Sequence, residues 1–302
     1  MRKYAPVALF AYNRPSHLAR TLDALGANPE AHLTDLYVFS DGAKDELTKH
    51  AVAQVREVLA DVRGFKSVTV IAREQNLGLG KSIIDGVSMI CEKHGCVIVL
   101  EDDLVTSPYF LRYMNDGLSY YAEDSRVASI LGYALPLSVK APTTYFVRGA
   151  DCLGWATWQR AWSLFEVDGQ RLLDELEKTN QIDALNMHGA MDFTQMLRDQ
   201  IAGRNHSWAV RWHISMFLLN KLTLTPHASL VLHIGNDGSG TNFGEESFLD
   251  TVLYMQPIEI KQIPVEEHVE MCKVTGKYFR AYKSLPARLI RRIRRLFCLS
   301  KR

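Results

Sequence analysis

The chain predicts an α/β fold built on a mostly parallel sheet with helices on both faces. Three observations lead there. Short apolar runs alternate with stretches of helical period through the first 120 residues or so. The polar clusters follow the apolar runs, where an open α/β sheet carries its ligand site. The composition is that of an ordinary globular protein, 47% hydrophobic and 23% charged.

The elements follow in order. Val7–Tyr12 reads as a buried strand that stops at Asn13-Arg14-Pro15. Ser16 is placed to cap a helix whose apolar face holds Leu18, Leu22 and Leu25. Leu36–Ser40 is a second strand, ending in Asp41-Gly42. From Asp45 to about Val62 an amphipathic helix turns Val52, Val55, Val58, Leu59 and Val62 inward. Ser67–Ala72 is a third strand, Lys81–Lys93 a helix, and Cys96–Leu100 a fourth strand running into Glu101-Asp102-Asp103. Pro108–Tyr121 is again helical. Strands alternating with helices imply parallel pairing covered on both faces. Asn13, Arg14, Asp41, Asn76 and the acidic triplet then share one sheet edge.

Beyond residue 125 the rhythm breaks. Val127–Leu131, Thr144–Val147 and Leu230–Ile234 read as short strands. Trp155–Phe165, Gln170–Lys178, Phe193–Ala202 and Trp208–Leu219 read as helices. A Gly-rich run, Gly235 to Asn242, follows the last strand. The expected organisation is a single domain over 1–245, made of a half at 1–125 that carries the polar clusters and a half at 126–245. A C-terminal extension over 246–302 contains a basic amphipathic helix at 285–299.

Three consecutive carboxylates at the end of a buried strand repel one another, and a divalent cation offsets that repulsion. Mg²⁺ and Mn²⁺ favour oxygen donors, often one or two carboxylates together with phosphates. A solvated acidic turn is the competing reading. The segment Asn76 to Ser82 is not a P-loop, because Gln75 stands where the first glycine is required, and Ile83 stands where GxGxxG needs its third. It reads as a loop whose backbone and Lys81 are able to approach phosphates, or as a helix entry with a solvated lysine.

The runs Val7 to Pro15, Phe39-Ser40-Asp41-Gly42, Asn76 to Lys81 and Glu101-Asp102-Asp103-Leu104 resemble, in order and spacing, glycosyltransferases of the GT-A fold. The likeness is strongest to the family related to N-acetylglucosaminyltransferase I and to bacterial sugar transferases of polysaccharide pathways. Gly154 to Trp158 and Trp208 to Thr241 resemble the bacterial members.

The resemblance implies a metal-dependent hexosyl- or N-acetylhexosaminyltransferase. Its donor would be a nucleoside-diphosphate sugar, UDP-linked, and its acceptor a glycan or lipid-linked glycan. It puts Asp103 on Mn²⁺ or Mg²⁺, Glu101 and Asp102 on the donor, Asn13 and Arg14 near the nucleotide, and Asp41 on the base. Asn76 and Lys81 approach the phosphates, and His233 is a candidate further metal ligand, against a structural strand-end histidine. The family's base is an aspartate flanked by tryptophans. Trp208-Ala-Val-Arg-Trp212 has no acid, which leaves Asp151, Asp192 and Asp237 as candidates by type. Tryptophans 155, 158, 162, 208 and 212 are either sugar-stacking or core residues.

Nucleotidyl transfer on the same fold is a rival, although the Gly-rich opening loop of that class is missing. A non-catalytic lectin-like or scaffold protein is another, favoured by the absent acid and opposed by the intact triplet.

The net charge of +1 gives no argument for nucleic acid. Five scattered cysteines fit a reducing compartment, and no run nears the ~20 apolar residues of a membrane span. Residues 287–302 hold seven Lys and Arg and no acid. Leu289, Ile293, Leu296 and Phe297 recur on one side of that segment. The pattern predicts a helix lying on an anionic membrane surface, with a basic tail or RNA binding as the competing reading. The expected location is cytoplasmic, peripheral on the inner face of the cell membrane.

Overall fold

The computed structural model describes residues 4–237 and 251–284. Ten strands occur among them: β1 Val7–Ala11, β2 Asp35–Ser40, β3 Ser67–Ala72, β4 Cys96–Glu101, β5 Leu104–Thr106, β6 Val127–Leu131, β7 Thr144–Arg148, β8 Trp155–Trp158, β9 Leu222–Pro226 and β10 Val231–His233. Helices α1 Pro15–Gly26, α2 Glu46–Ala60, α3 Leu79–His94 and α4 Phe110–Tyr120 belong to the first half. The second half adds α5 Gln159–Trp162, α6 Gly169–Lys178, α7 Ile182–Leu185, α8 Phe193–Ile201, α9 Ala209–Leu218 and α10 Val269–Lys283.

Eight strands form one sheet in the order β3-β2-β1-β4-β8-β6-β9-β7, and β5 pairs with β10 in a separate two-stranded ladder. The first four strands are mutually parallel. β8 is antiparallel to both its neighbours, β6 and β9 are parallel, and β7 closes the far edge antiparallel. The sheet is therefore mostly parallel and flanked by helices, as the alternating pattern predicts.

The chain steps outward from β1 to β2 to β3, then returns to lay β4 on the other side of β1. With right-handed crossovers, this reversal places α3 on the face opposite α1 and α2. The reversal point, between β1 and β4, is where an open sheet forms its ligand crevice. Register fixes what meets there: Phe10 lies opposite Glu101 and Ala11 opposite Ser40. The turns carrying Arg14, Asp41 and Asp103 thus leave the sheet side by side.

Local chemistry explains the helix ends. Pro15 opens α1 at a position where its missing N–H is harmless. The expected Ser16 cap is displaced: Arg14 is the N-cap and makes no side-chain capping bond. Asp45 and Thr48 form a reciprocal capping box on α2. Gly95, at φ +83°, ends α3 in a left-handed cap.

One helix reading is corrected. Trp155–Trp158 is a strand, with only Gln159–Trp162 helical after it. Tryptophans at 155, 158 and 162 mimic helical spacing, but β8 is wedged between β4 and β6 and buried on both faces, so it shows no alternation. All five tryptophans are buried in the core. The Trp155 ring lies 5.7 Å from those of both Trp208 and Trp212.

The main core runs through the whole sheet and reaches Ile258, with Tyr254, Ile260, Ile263 and Val265 packed against it. A satellite core joins α6, α8 and α9 through Leu172, Leu176, Leu197, Val210 and Ile214. No helix among the described residues is long and apolar enough to cross a membrane. The predicted amphipathic helix 285–299 lies outside the described residues.

Candidate functional site

The acidic turn is assembled from three parts of the chain. Glu101 ends β4, Asp102 and Asp103 form the turn, and Leu104 begins β5. The β5–β10 ladder pairs Leu104 with His233. Ile234 N–H donates to the Asp103 carbonyl at 2.9 Å, which pins the two segments together. His233 Nε2 then stands 3.3 Å from Asp103 Oδ2, with both side chains almost fully buried.

From the β1–α1 turn Arg14 reaches both aspartates. One guanidinium nitrogen bonds Asp102 Oδ1, and the other stands 2.9 Å from Asp103 Oδ2. Asp102 also accepts the Tyr12 N–H at 3.2 Å, and its carbonyl accepts the Thr21 hydroxyl at 2.8 Å. Its carboxylate is thus taken up by the β1–α1 turn. Asn13 lies half-buried in the same turn.

Gly235 closes the arrangement. A Cβ there would stand 2.3 Å from Asp103 Oδ2, 3.0 Å from His233 Nε2 and 3.1 Å from Arg14 Nη1. These three polar atoms therefore face one small space that only glycine leaves open.

Burial pushes the Glu101 carboxyl up to about 8, helped by the charges of Asp103 and Asp102 and opposed by Arg14. Burial also pushes Asp102 up, to about 6, against the pull of Arg14. Burial acts the same way on Asp103, but the hydrogen bond from His233 and the charge of Arg14 outweigh it and hold this group below the ordinary carboxylate range. Among the three acids, Asp103 is the one held below its ordinary value.

The set fits a divalent cation in part. Asp103 Oδ2 and His233 Nε2 are an oxygen and a nitrogen donor facing one space, a combination suited to Mn²⁺. Among the described residues no group of three or more His, Cys, Asp or Glu side chains could hold a metal. Two protein donors leave the remaining positions to phosphate oxygens and water, the usual arrangement at nucleotide sites.

Asp41 lies beside this turn, buried at the end of β2. Its carboxylate accepts N–H groups from Gly42 at 3.1 Å, Leu77 at 2.9 Å and Gly78 at 3.0 Å. Asn76 answers by donating to the Gly42 carbonyl at 2.9 Å. Asp41 and Asn76 thus lock two loops together at the crevice rim. Lys81, in the first turn of α3, is exposed and stands 3.1 Å from Asp85.

The three candidate bases part company. Asp192 pairs with Lys283 at 2.6 Å and ties α8 to α10. Asp237 stands 3.2 Å from His17 of α1, half-exposed. Asp151 lies in the loop after β7, open to solvent on one side. Crowding raises its carboxyl, while the Cys152 N–H and His213 draw it part of the way back. The neighbouring Cys152 thiol is raised by burial and by the charges of Asp151, Glu101 and Asp103. Val99 of β4 pairs with Trp155 of β8, so the loop that carries Asp151 joins β8 at the end of the sheet where β4 runs into the acidic turn.

Two residues of this neighbourhood escape a sequence reading. His213 of α9 holds the Ala150 carbonyl at 2.8 Å through Nδ1. It fills the space beside Gly149, which adopts φ +91°. Gly235 is visible in sequence only as part of a Gly-rich run.

Residues 7–149 match glycosyl transferase family 2. No curated protein matches the chain. Similar solved structures include UDP-glucose pyrophosphorylase complexed with UDP-glucose, at 10% identity, 74% of this chain, 90% of that one and a TM-score of 0.36. Glucosyl-3-phosphoglycerate synthase from Mycobacterium tuberculosis, in complex with Mn²⁺, UDP and glucosyl-3-phosphoglycerate, has 12% identity over 58% of this chain and 66% of that one, with a TM-score of 0.33. An active-site mutant of LgtC has 11% identity over 57% and 63%, with a TM-score of 0.34. The chain resembles GT-A glycosyltransferases, and the family match supports a nucleotide-sugar glycosyltransferase.

Proposed function

We propose that this chain transfers a hexosyl or N-acetylhexosaminyl group from a UDP-linked sugar to a glycan or lipid-linked glycan, in the building of a surface polysaccharide. The observation that carries this reading is the convergence of Asp103 Oδ2 and His233 Nε2 on the Gly235 space, at the reversal point of the sheet.

Asp103 and His233 would hold Mn²⁺ or Mg²⁺. Such an ion, when bound, neutralises the charge that develops on the leaving diphosphate. The rest falls to the chain's own groups. Arg14 stands by the same space and offers bidentate N–H donors, a geometry suited to phosphate. The 76–78 loop, braced by Asp41, and the first turn of α3 with Lys81 border the crevice where the nucleotide would lie. Glu101, at the end of β4, is the group assigned to the donor sugar, and its burial favours the uncharged form. Asp151 is the proposed base for the acceptor hydroxyl: its loop leads into β8 beside the end of β4, whereas Asp237, whose segment is also pinned to the acidic turn, is engaged by His17. His213 positions that loop.

The direct test is donor turnover. Incubated with Mn²⁺ and a panel of nucleotide sugars, then with glycan acceptors, the protein should release UDP from at least one donor, faster with the right acceptor. Release of no nucleoside diphosphate from any sugar, in a folded preparation, would favour the non-catalytic reading instead.

We also assign residues 285–302 to a peripheral contact with the inner face of the cell membrane. Support comes from their sequence: basic residues without acids, and apolar residues at helical spacing. Charge and apolar contact should act together, so binding to vesicles containing anionic lipid should weaken as salt rises. Replacing Arg291, Arg292, Arg294 and Arg295 by Gln should reduce cosedimentation several-fold, at roughly 1 kcal/mol per basic residue near the surface. Equal cosedimentation of the two proteins would refute the membrane contact.

A further inference from the structure

The acidic turn already contains a cation, and it belongs to the chain. Asp102 and Asp103 are consecutive, buried carboxylates whose repulsion water does little to screen. The Arg14 guanidinium spans the two, bonding Asp102 Oδ1 with one nitrogen and standing 2.9 Å from Asp103 Oδ2 with the other. Its side chain is only 17% exposed, so it is a built-in partner rather than a passing surface charge.

Asp103 Oδ2 has a second neighbour, His233 Nε2, at 3.3 Å. For that contact to be a hydrogen bond, Nε2 must carry the proton, so metal binding through Nε2 also requires that proton to move to Nδ1. In this arrangement each of the two donor atoms is engaged by the chain itself. All three polar atoms crowd the point where a Cβ of residue 235 would stand, so a metal there would share that point with the guanidinium. A metal held by Asp103 Oδ2 would meet the guanidinium that already stands 2.9 Å from the same oxygen, cation against cation.

We infer that Arg14 is an internal counter-cation that occupies the divalent-metal seat and must swing off Asp103 before a metal can bind. Asp102 is the pivot, because it keeps its bond to Arg14 and is itself fixed by the Tyr12 N–H. The released guanidinium nitrogen then needs an anion, and a nucleoside diphosphate supplies one at that place. Metal and nucleotide therefore help each other to bind, and Arg14 carries part of that coupling. This inference rests on the metal reading of the preceding subsection, but it makes a separate statement: Arg14 opposes the bare metal and favours it once nucleotide is present.

The test is a Mn²⁺ titration followed by the electron paramagnetic resonance signal of the free ion, with and without UDP. Wild type, Arg14→Gln, Arg14→Lys and Asp103→Asn are compared, each checked for cooperative thermal unfolding. An adjacent arginine stabilises an ionised carboxylate by roughly one to three pKa units against a proton. Its removal should likewise strengthen Mn²⁺ binding without UDP by about tenfold or more. The gain in Mn²⁺ affinity on adding UDP should shrink in Arg14→Gln. Arg14→Lys keeps the charge but loses the two-pronged geometry, and should fall between, which preserves the test should Arg14→Gln fail to fold. Mn²⁺ binding unchanged or weakened in the folded Arg14 variants, yet lost in Asp103→Asn, overturns the inference and leaves the metal reading standing. Absence of Mn²⁺ binding in every protein, wild type included, with UDP present, overturns both.

Discussion

Asp103→Ala is expected to abolish Mn²⁺-dependent UDP binding while the protein still unfolds cooperatively. The side chain contacts Arg14 and His233, both of them groups of the site. The bond that anchors β10, from Ile234 N–H, goes to the Asp103 main-chain carbonyl and survives the substitution. Arg14 keeps Asp102 as a partner, so no buried charge is stranded. The cost in stability should stay near that of a charged hydrogen bond, about 1.5–3 kcal/mol. The cost in function is larger, because a metal contributes several kcal/mol of charge stabilisation, which amounts to more than about a hundredfold in affinity. Gly235→Ala should have the same direction through a different cause, since its Cβ would fall 2.3 Å from Asp103 Oδ2 and displace the carboxylate. Isothermal titration with UDP and Mn²⁺ reads both. Full turnover in EDTA, or in Asp103→Ala, would remove the metal from the reaction.

How much of this was legible in sequence depends on how far apart the interacting parts lie. The β1 to β4 half was readable because parallel strands buried on both faces are continuous apolar runs, punctuated by helices of clear period. Predicted and observed bounds there agree to within a few residues. In the second half the signal degrades for identifiable reasons. Trp155–Trp158 carries apolar side chains to both faces of a central strand, so period 2 is invisible and a chance 155-158-162 spacing suggests a helix. β9 is Leu-Thr-Leu-Thr-Pro, and its proline and threonines read as loop although the strand lies between β6 and β7. α10 shows no apolar stripe to mark it as a helix: it docks through Met271 and Gly276 and carries charges on much of its remaining surface.

The site divides along the same line. The acidic triplet could be picked out by its local density of charge. The meeting of Asp103 with His233 could not, since it is made by two strands of three residues each, too short for any periodic pattern. The Arg14 bridge needed knowledge that β1 and β4 are neighbours, which requires the out-of-order return of the chain. Asp41 was singled out as a base contact, and the structure adds that its carboxylate holds Leu77 and Gly78. That bond arises from loop conformation, which no residue pattern encodes.

Asp151→Asn is expected to lower kcat by about 10²–10⁴-fold, the range for loss of a general base, with UDP and Mn²⁺ affinities nearly unchanged. The substitution keeps the size of the side chain and its ability to accept the Cys152 N–H, which is 2.6 Å from Oδ1 in the parent. What it removes is the basic oxygen. Two features make that oxygen suited to take a proton. Desolvation shifts the carboxyl upward from its ordinary value, the direction that favours proton uptake. The loop is held on one side by His213 through the Ala150 carbonyl and on the other by the bond from Gly132 N–H to the Gly154 carbonyl, at 2.7 Å. Both anchors limit how far the carboxylate can drift from the acidic turn. Asp192→Asn and Asp237→Asn are the matched controls. Asp192 is engaged with Lys283, and its loss should change stability by less than about 1 kcal/mol, as for other exposed pairs. Transfer to the acceptor identified in the donor screen should therefore fall steeply in Asp151→Asn alone. A kcat within a few-fold of wild type in that variant, alongside a collapse in Asp237→Asn, would move the base to the loop after β10 and leave Asp151 with a structural role.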